Sequence, residues 1–284
     1  VLRTSLLFLG ATLLFLAPAP AEPQARRGGT LEVLSYNVHG LPGFVTGDDT
    51  LGRLRQISPR LEAFDVVGLQ EDFLDEGHSL LLAQADHPFR RRFASKLPQR
   101  VYGSGLTTLA RSKVLVTREV HFTTFHGVVG AGADGLASKG FQITRLELTT
   151  GVELDIYNSH LDAGGGPADS RARASQVAQI TSAIQTFSAG RAVLFLGDTN
   201  LKARKVGDAA TLARWLEVTG LRCACLTTRE TCCGRIDRVL LRSGVGLRLE
   251  ATAWKVLDYH DPKGQALSDH APIQVQLRWR REAF

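Results

Sequence analysis

Six short stretches of this 284-residue chain carry side chains able to do chemistry together: Asn37, Gln70-Glu71, Asn158 with His160, Asp198 with Asn200, Asp237, and Asp269-His270. Carboxylate and amide oxygens are the donors a hard cation prefers, and imidazole is the side chain that exchanges a proton near neutral pH. Each stretch closes or follows a strand-like segment, or begins the next one. Strand ends on one rim of a sheet converge. In an extended chain residues i and i+2 share a face, so Asp198 with Asn200, and Asn158 with His160, are placed to point into one cavity. Taken singly, each has a plainer reading: Asp198-Thr199-Asn200 as a turn, Glu71 as a helix cap. His39, His78, His87, His121, His126 and His260 sit in no matching context and read as surface or structural residues.

The elements that must position these groups are mostly strands. Strand patterning covers 31–36, 66–69, 106–110, 114–122, 141–148, 152–157, 192–196, 236–241 and 273–279, the last being clearest because Ile273, Val275, Leu277 and Trp279 alternate with polar partners. The strongest helix takes Asp169 and Ser170 as N-cap candidates, carries Val177, Ile180, Ile184 and Phe187 at helical spacing, and stops before Gly190. A second is expected over 211–218, ending at Gly220, and a third over 51–64, interrupted by Pro59. Gly164-Gly165-Gly166 reads as a mobile loop, and there is no internal repeat. So many strands against few helices predict two packed sheets with helices outside, rather than one doubly wound sheet.

A 44% hydrophobic composition is enough for a sizeable core, in one large α/β domain or two small ones. The N-terminus reads as an export signal over 1–21: Arg3, an apolar run over 6–17, and small residues at Ala19-Pro20-Ala21, giving a mature start near Glu22. That run is shorter than the roughly 20 residues of a spanning helix. Residues 22–30 read as a linker, and 31–284 as a single catalytic domain. A net charge of +6 favours anionic surfaces, phospholipid headgroups or nucleic acid, without choosing between them. Cys223, Cys225, Cys232 and Cys233 lie close together, and in an exported protein such an even count predicts disulfides. Their spacing lacks the separated Cys-x-x-Cys pairs of a zinc site, and the pairing stays open.

Taken together, the phrases Ser35-Tyr36-Asn37-Val38, Leu69-Gln70-Glu71, Ser159-His160-Leu161-Asp162, Gly197-Asp198-Thr199-Asn200, Arg235-Ile236-Asp237 and Ser268-Asp269-His270 resemble the metal-dependent endonucleases, exonucleases and phosphatases typified by deoxyribonuclease I. They follow that superfamily's order across 31–279, and the resemblance implies a four-layer α/β/β/α sandwich. Within it the chain is most similar to secreted bacterial neutral sphingomyelinases. The matching passages are 64–73, around Glu71, and 132–141, in which Asp134 and four further residues precede Lys139-Gly140; a turn entering a strand is the plainer reading of Lys139-Gly140. It departs from them at Gly135, where an aromatic is common, in the four-cysteine loop, and in the span 237–269, short for a long aromatic-tipped hairpin.

The resemblance implies a secreted (extracellular or periplasmic), monomeric Mg2+-dependent phosphodiesterase, Mn2+ or Co2+ being substitutes, that meets sphingomyelin peripherally at a membrane and releases ceramide and phosphocholine. Glu71, Asn37 and Asp269 would serve the metal; His270, oriented by Asp237, would take the proton from the attacking water; Asp198 and Asn200 would orient water and phosphate. His160 would stabilise the pentacoordinate phosphorus or protonate the leaving group, with Asn158, Lys139 and Asp134 as substrate contacts. The alternatives are a secreted deoxyribonuclease-like endonuclease, a phosphomonoesterase on the same fold, and a catalytically dead adhesin or binding module. The last should have lost a metal or histidine position, and none is missing.

Overall fold

A computed structural model describes residues 27–127, 134–227 and 234–282. The chain runs β1 (Gly28–Asn37), α1 (Gly43–Thr46), α2 (Thr50–Ile57), a 3-10 segment (Ser58–Ala63), β2 (Val66–Gln70), α3 (Asp75–Leu82), β3 (Phe89–Phe93), β4 (Leu106–Ala110) and β5 (Lys113–His121). After a 3-10 turn (Asp134–Leu136) come β6 (Gly140–Thr149), β7 (Val152–His160), α4 (Pro167–Thr186), β8 (Ala192–Asp198), α5 (Val206–Thr219), β9 (Arg222–Cys223), α6 (Ala224–Thr227), β10 (Asp237–Arg242), β11 (Leu247–Val256) and β12 (Ile273–Arg281). Two six-stranded mixed sheets result, ordered β11-β12-β1-β2-β4-β3 and β5-β6-β7-β8-β10-β9.

Alternation within single strands builds three apolar layers, because successive side chains leave a strand on opposite faces. Val33 of β1, Val66 of β2, Ile156 of β7, Leu194 and Leu196 of β8 and Leu241 of β10 meet between the sheets. The opposite faces of β1 and β2 send Leu34, Tyr36, Val67 and Leu69 against Leu54, Ile57 and Leu81 of α2 and α3. Tyr157, Val193, Phe195 and Leu240 pack against Val177, Ile180, Ile184 and Trp215 of α4 and α5. The molecule is therefore the four-layer α/β/β/α sandwich, two sheets face to face with helices outside each. Gly68 permits the close approach of the sheets: a Cβ there would meet Leu196 Cδ1 at 2.9 Å and the Asn158 side chain at 3.3 Å.

All nine expected strands form, and β3, β9 and β11 are additions. The Phe-Arg-Arg-Arg-Phe of β3 hides from an apolar pattern because it is an edge strand whose arginines face outward to Glu119 (2.8 Å) and Asp75 (2.6 Å). In β11 a bulge between Ala251 and Ala253 breaks the alternation. The expected N-cap of α4 is corrected: Gly166 occupies it, Pro167 is the first helical residue, and Asp169 reaches back to accept from Gly166 N at 2.6 Å. Nor is Gly164-Gly165-Gly166 a free loop, since Arg173 donates to Gly164 O (3.2 Å) and Lys205 donates to the carbonyls of Gly165 and Gly166. Helix α2 gives way to 3-10 geometry at Pro59, α5 starts at Val206 rather than 211, and α3 was not expected. Strand β1 begins at Gly28, paired with Arg280, so the end of the supposed linker is sheet. The signal stretch 1–21, Cys232 and Cys233 lie outside the described residues; Cys223 and Cys225 are buried. No helix among the described residues is long and apolar enough to cross a membrane.

Candidate active site

Strand direction and register bring the chemical side chains to one end of the sandwich. Strands β1 and β2 are parallel with Asn37 opposite Gln70, and β7 and β8 are parallel with His160 opposite Asp198. Four strand ends thus share one rim. Strand β10 runs back from that rim with Asp237 opposite Asp198, and β12 starts there, Ile273 pairing with Ser35, so Asp269 and His270 arrive just before it. Glu71, His160, Asp198 and His270, far apart in the chain, fall within contact of one another: His160 Nε2 is 4.0 Å from Glu71 Oε1 and 3.5 Å from Asp198 Oδ2, and His270 Nε2 is 3.7 Å from the same Asp198 oxygen.

The backbone is strained here. Four non-glycine residues among those described have positive φ, and three of them, His39 (50°), Glu71 (60°) and Asn200 (49°), belong to this cluster. Each such conformation costs about 1–3 kcal/mol and persists only where the surroundings enforce it. At Glu71 the enforcement is visible: Gly40 N donates to Glu71 O (3.1 Å), and a Cβ on Gly40 would stand 2.3 Å from that oxygen.

Asp237 and His270 form the best-defined pair. Nδ1 of His270 lies 2.8 and 3.0 Å from the two Asp237 oxygens, which fixes the proton on Nδ1 and leaves Nε2 facing Asp198. Burial alone would lower the His270 pKa, but the Asp237 hydrogen bond and charge, followed by the charges of Asp198 and Asp269, outweigh it and raise it to about 9. Asp198 is buried, and that burial together with the charge of Asp237 pushes it up to about 6 against the pull of His270. Its Oδ1 accepts from Asn200 N (2.9 Å) and its Oδ2 from Asn37 Nδ2 (3.2 Å). His160 goes the other way: burial, then the positive charges of Lys139 and His270, hold it well below the usual imidazole range, hence neutral. Its Nε2 is 3.2 Å from Lys139 Nζ and 3.3 Å from Asn200 Nδ2.

Two groups of donors could hold a cation. Asp198, Asp237 and His270 offer ligand atoms within 4.8 Å of one another. Beside them Glu71 presents Oε2 buried and without a hydrogen-bond partner, as expected of an oxygen whose partner is a hard cation. Asn37 does not offer its oxygen there as oriented: Nδ2 donates to Glu71 Oε1 (2.9 Å), while Oδ1 accepts from His39 N (3.0 Å). Asp269 is reached through His39, whose Nδ1 lies 3.1 Å from Asp269 Oδ1 and 3.8 Å from Glu71 Oε2. His39 is thus a site residue, not a surface one. The available signal was its place two residues after Asn37, the spacing used for the other pairs.

Of the expected substrate contacts, Lys139 and Asp134 lie in the cleft and Asn158 does not. Lys139 Nζ binds Asp134 Oδ1 (2.5 Å) and Leu161 O (2.8 Å) beside His160. Asn158 is completely buried between the sheets; its amide donates to Leu69 O and Thr107 O and accepts from Gln70 Nε2 (2.8 Å). It ties the sheets together because its strand position points it one layer deeper than His160. Glu71, Lys139 and His160 line a cleft of about 380 Å³ whose walls are apolar, including Phe44, Phe73, Val101, Tyr102 and Leu136.

Residues 34–270 match the model of the Endonuclease/Exonuclease/phosphatase family. In an alignment 280 positions long that covers 88% of this chain, it is 30% identical to a protein of Mycobacterium tuberculosis named "Sphingomyelinase", and equally to its Mycobacterium bovis counterpart. It spans only 53% of the length of those relatives. Among solved structures, sphingomyelinase C from Streptomyces griseocarneus superposes with a TM-score of 0.66 at 20% identity, covering 87% of this chain and 99% of that one. Zebrafish (D. rerio) TDP2 complexed with a single-strand DNA product gives 0.67 at 19% identity, covering 87% and 98%. At such identities these structures speak for the fold alone.

Proposed function

The chain belongs to the Endonuclease/Exonuclease/phosphatase family, and on that premise we propose that it is a secreted, divalent-cation-dependent phosphodiesterase that cleaves sphingomyelin to ceramide and phosphocholine. The observation that carries this reading is the meeting of Glu71, His160, Asp198 and the Asp237–His270 pair, with Glu71 and His160 lining a cleft whose walls are apolar. Acid–base groups beside a cation-binding carboxylate suit phosphodiester hydrolysis. Apolar walls suit a diester carried by a lipid.

Glu71, with Asp269 and Asp198 nearby, would hold a hard cation such as Mg2+, whose chemistry is to neutralise the non-bridging oxygens of the phosphate. The chain's own groups do the rest. Asp198 and Asn200 orient the attacking water. His270 would take the proton of that water on Nε2, since a cation held by the neighbouring carboxylates would offset the field that raises its pKa, and Asp237 keeps Nδ1 protonated throughout. His160, resting neutral, contacts the developing phosphorane or leaving oxygen, and Lys139 brings positive charge to the same point.

Labelled sphingomyelin, phosphatidylcholine and plasmid DNA assayed in parallel with Mg2+ test the reading. Phosphocholine release from sphingomyelin is the expected result. Plasmid nicking without it would transfer the site to the nuclease reading, which the +6 charge permits and the short 237–269 span favours, and free phosphate release from soluble monoesters would mark a phosphomonoesterase.

A further inference from the structure

Helix α1 is a single turn that buries none of its residues, and it holds two apolar side chains in water: Phe44 is 90% and Val45 55% exposed. Val101, on the β3–β4 loop, is 54% exposed. All three line the mouth of the cleft whose floor carries Glu71, Lys139 and His160. Scattered apolar residues on a surface need no explanation, but several gathered on the rim of one site do.

The turn is held rigidly. Thr50 Oγ1 donates to Leu41 O (2.8 Å), Thr46 Oγ1 to Asp48 Oδ1 (2.8 Å), Arg53 pairs with Asp48 (2.9 Å), and Gly47 closes the turn at φ 74°. The framework is fastened on both sides of Phe44 and Val45 while their side chains remain uncovered. Cations stand next to Val101: Lys96 Nζ donates to Val101 O (3.4 Å), and the Arg100 guanidinium lies 3.5 Å from the centroid of Phe125, a ring itself 42% exposed. On the Val101 side the apolar lip is flanked by basic groups, and on the α1 side Asp48 is paired with Arg53; cations beside an apolar edge match the layering of a bilayer surface, where anionic phosphates sit just outside the acyl region.

We propose that Phe44, Val45 and Val101 form a lip that docks into the surface of a choline-phospholipid bilayer and sets the cleft over the phosphodiester of a lipid still in the membrane. The proposal rests on the phosphodiesterase reading above for the role of the floor, and on the lip alone for the docking. A lipid joins a phosphodiester to an apolar body as this cleft joins a polar floor to an apolar rim. Nucleic acid, charged along both sides of any scissile bond, leaves the rim uncovered.

The test uses large unilamellar vesicles of sphingomyelin and phosphatidylcholine, with a chelator present so that binding is read without turnover. Phe44→Trp, read as the difference from the parent's emission, should show a blue-shifted, brighter signal when vesicles are added. Phe44→Asp combined with Val45→Asp should weaken co-sedimentation with vesicles by about tenfold or more. Val245→Asp, which alters an apolar residue whose exposure (71%) lies between those of Phe44 and Val45, beyond the other end of β10, should bind as the parent does. An unshifted emission from the Phe44→Trp variant, undiminished binding of the double variant, or lipid-free self-association abolished by that double variant would overturn the lip. The two readings fail separately: vesicle binding through the lip without phosphocholine release removes the sphingomyelin substrate and keeps the lip, and sphingomyelin turnover by a Phe44→Trp variant whose introduced indole still emits as in water does the reverse.

Discussion

Replacing Asp237 by Asn removes one negative charge and little else, which isolates what the pair with His270 does. The carboxylate holds Nδ1 at 2.8 and 3.0 Å and is the chief support of a His270 pKa near 9, against a burial that pulls the other way. The gap between about 9 and the ordinary 6.5 is worth about 3 kcal/mol at roughly 1.4 kcal/mol per tenfold. With Asp237→Asn the largest support is gone and only the charges of Asp198 and Asp269 still oppose burial, so in the metal-free protein the His270 ring should titrate well below 9. The linkage sign follows: a folded-state pKa above the unfolded value stabilises fully below about pH 6.5 and is lost as pH rises through about 9, so that part of the parent's advantage over the variant should shrink across this window. An Asn side chain can also present its NH2 to Nδ1, which favours the tautomer with the proton on Nε2 and disables it as a base. Turnover should therefore fall by about 10²–10⁴ with the fold intact. The assays are NMR titration of the imidazole proton and steady-state kinetics on the same preparations. A variant whose His270 still titrates near 9, or whose turnover stays within a few-fold of the parent's, would refute the assignment of Asp237 as the group that orients and charges the imidazole.

Other expectations follow from the same geometry. His270→Ala and His160→Ala should each reduce turnover at least about a hundredfold while circular dichroism stays unchanged. Glu71→Gln should weaken Mg2+ binding measured by calorimetry, and chelation of the parent should abolish an activity that Mg2+ restores. Gly40→Ala places a Cβ 2.3 Å from Glu71 O and should cost about 1–3 kcal/mol, read as a lowered Tm. Arg173→Ala strands the fully buried Asp208 carboxylate, 3.0 Å from Arg173 Nη2, and should destabilise by about 3–5 kcal/mol in a denaturant titration.

What the sequence disclosed and what it withheld divide along a physical line. Strands buried on both faces were legible because their apolar runs are bounded by polar groups that sit at the rim: Leu194 to Leu196 followed by Asp198, or Val66 to Leu69 followed by Glu71. Strand β3 was not, because an edge strand spends its side chains on solvent and ion pairs, and a run of three arginines carries no apolar period. The grouping of Glu71, His160, Asp198, Asp237 and His270 was legible through strand ends. The depth at which each side chain sits was not, since Asn158 and His160 obey the same alternation, yet only His160 reaches the cleft while Asn158 joins the sheets. His39 was missed although it stands two residues after Asn37, because its inward turn depends on a positive φ that a histidine does not announce in the sequence.

The strain bears on whether this scaffold is a working enzyme or a retained shell. His39, Glu71 and Asn200 each hold a positive φ at a cost that glycine would relieve, and Asp198 keeps a carboxylate where burial and the charge of Asp237 penalise its ionisation. A protein that used only the outer surfaces of the sandwich would gain stability by losing any of these, and substitutions that relax them would accumulate without penalty. The sequence keeps all of them together with both imidazoles. A structural origin for this set would require that Asn200→Gly, which relieves the backbone at φ 49°, or Asp198→Asn, which removes a carboxylate whose pKa burial and Asp237 raise to about 6, lower the Tm. A catalytic origin predicts that Asp198→Asn leaves the Tm of the metal-free protein equal or higher at pH 8 while turnover collapses, because a carboxylate whose folded pKa is raised opposes folding as pH rises above its ordinary value of 3.8, and does so fully above about 6.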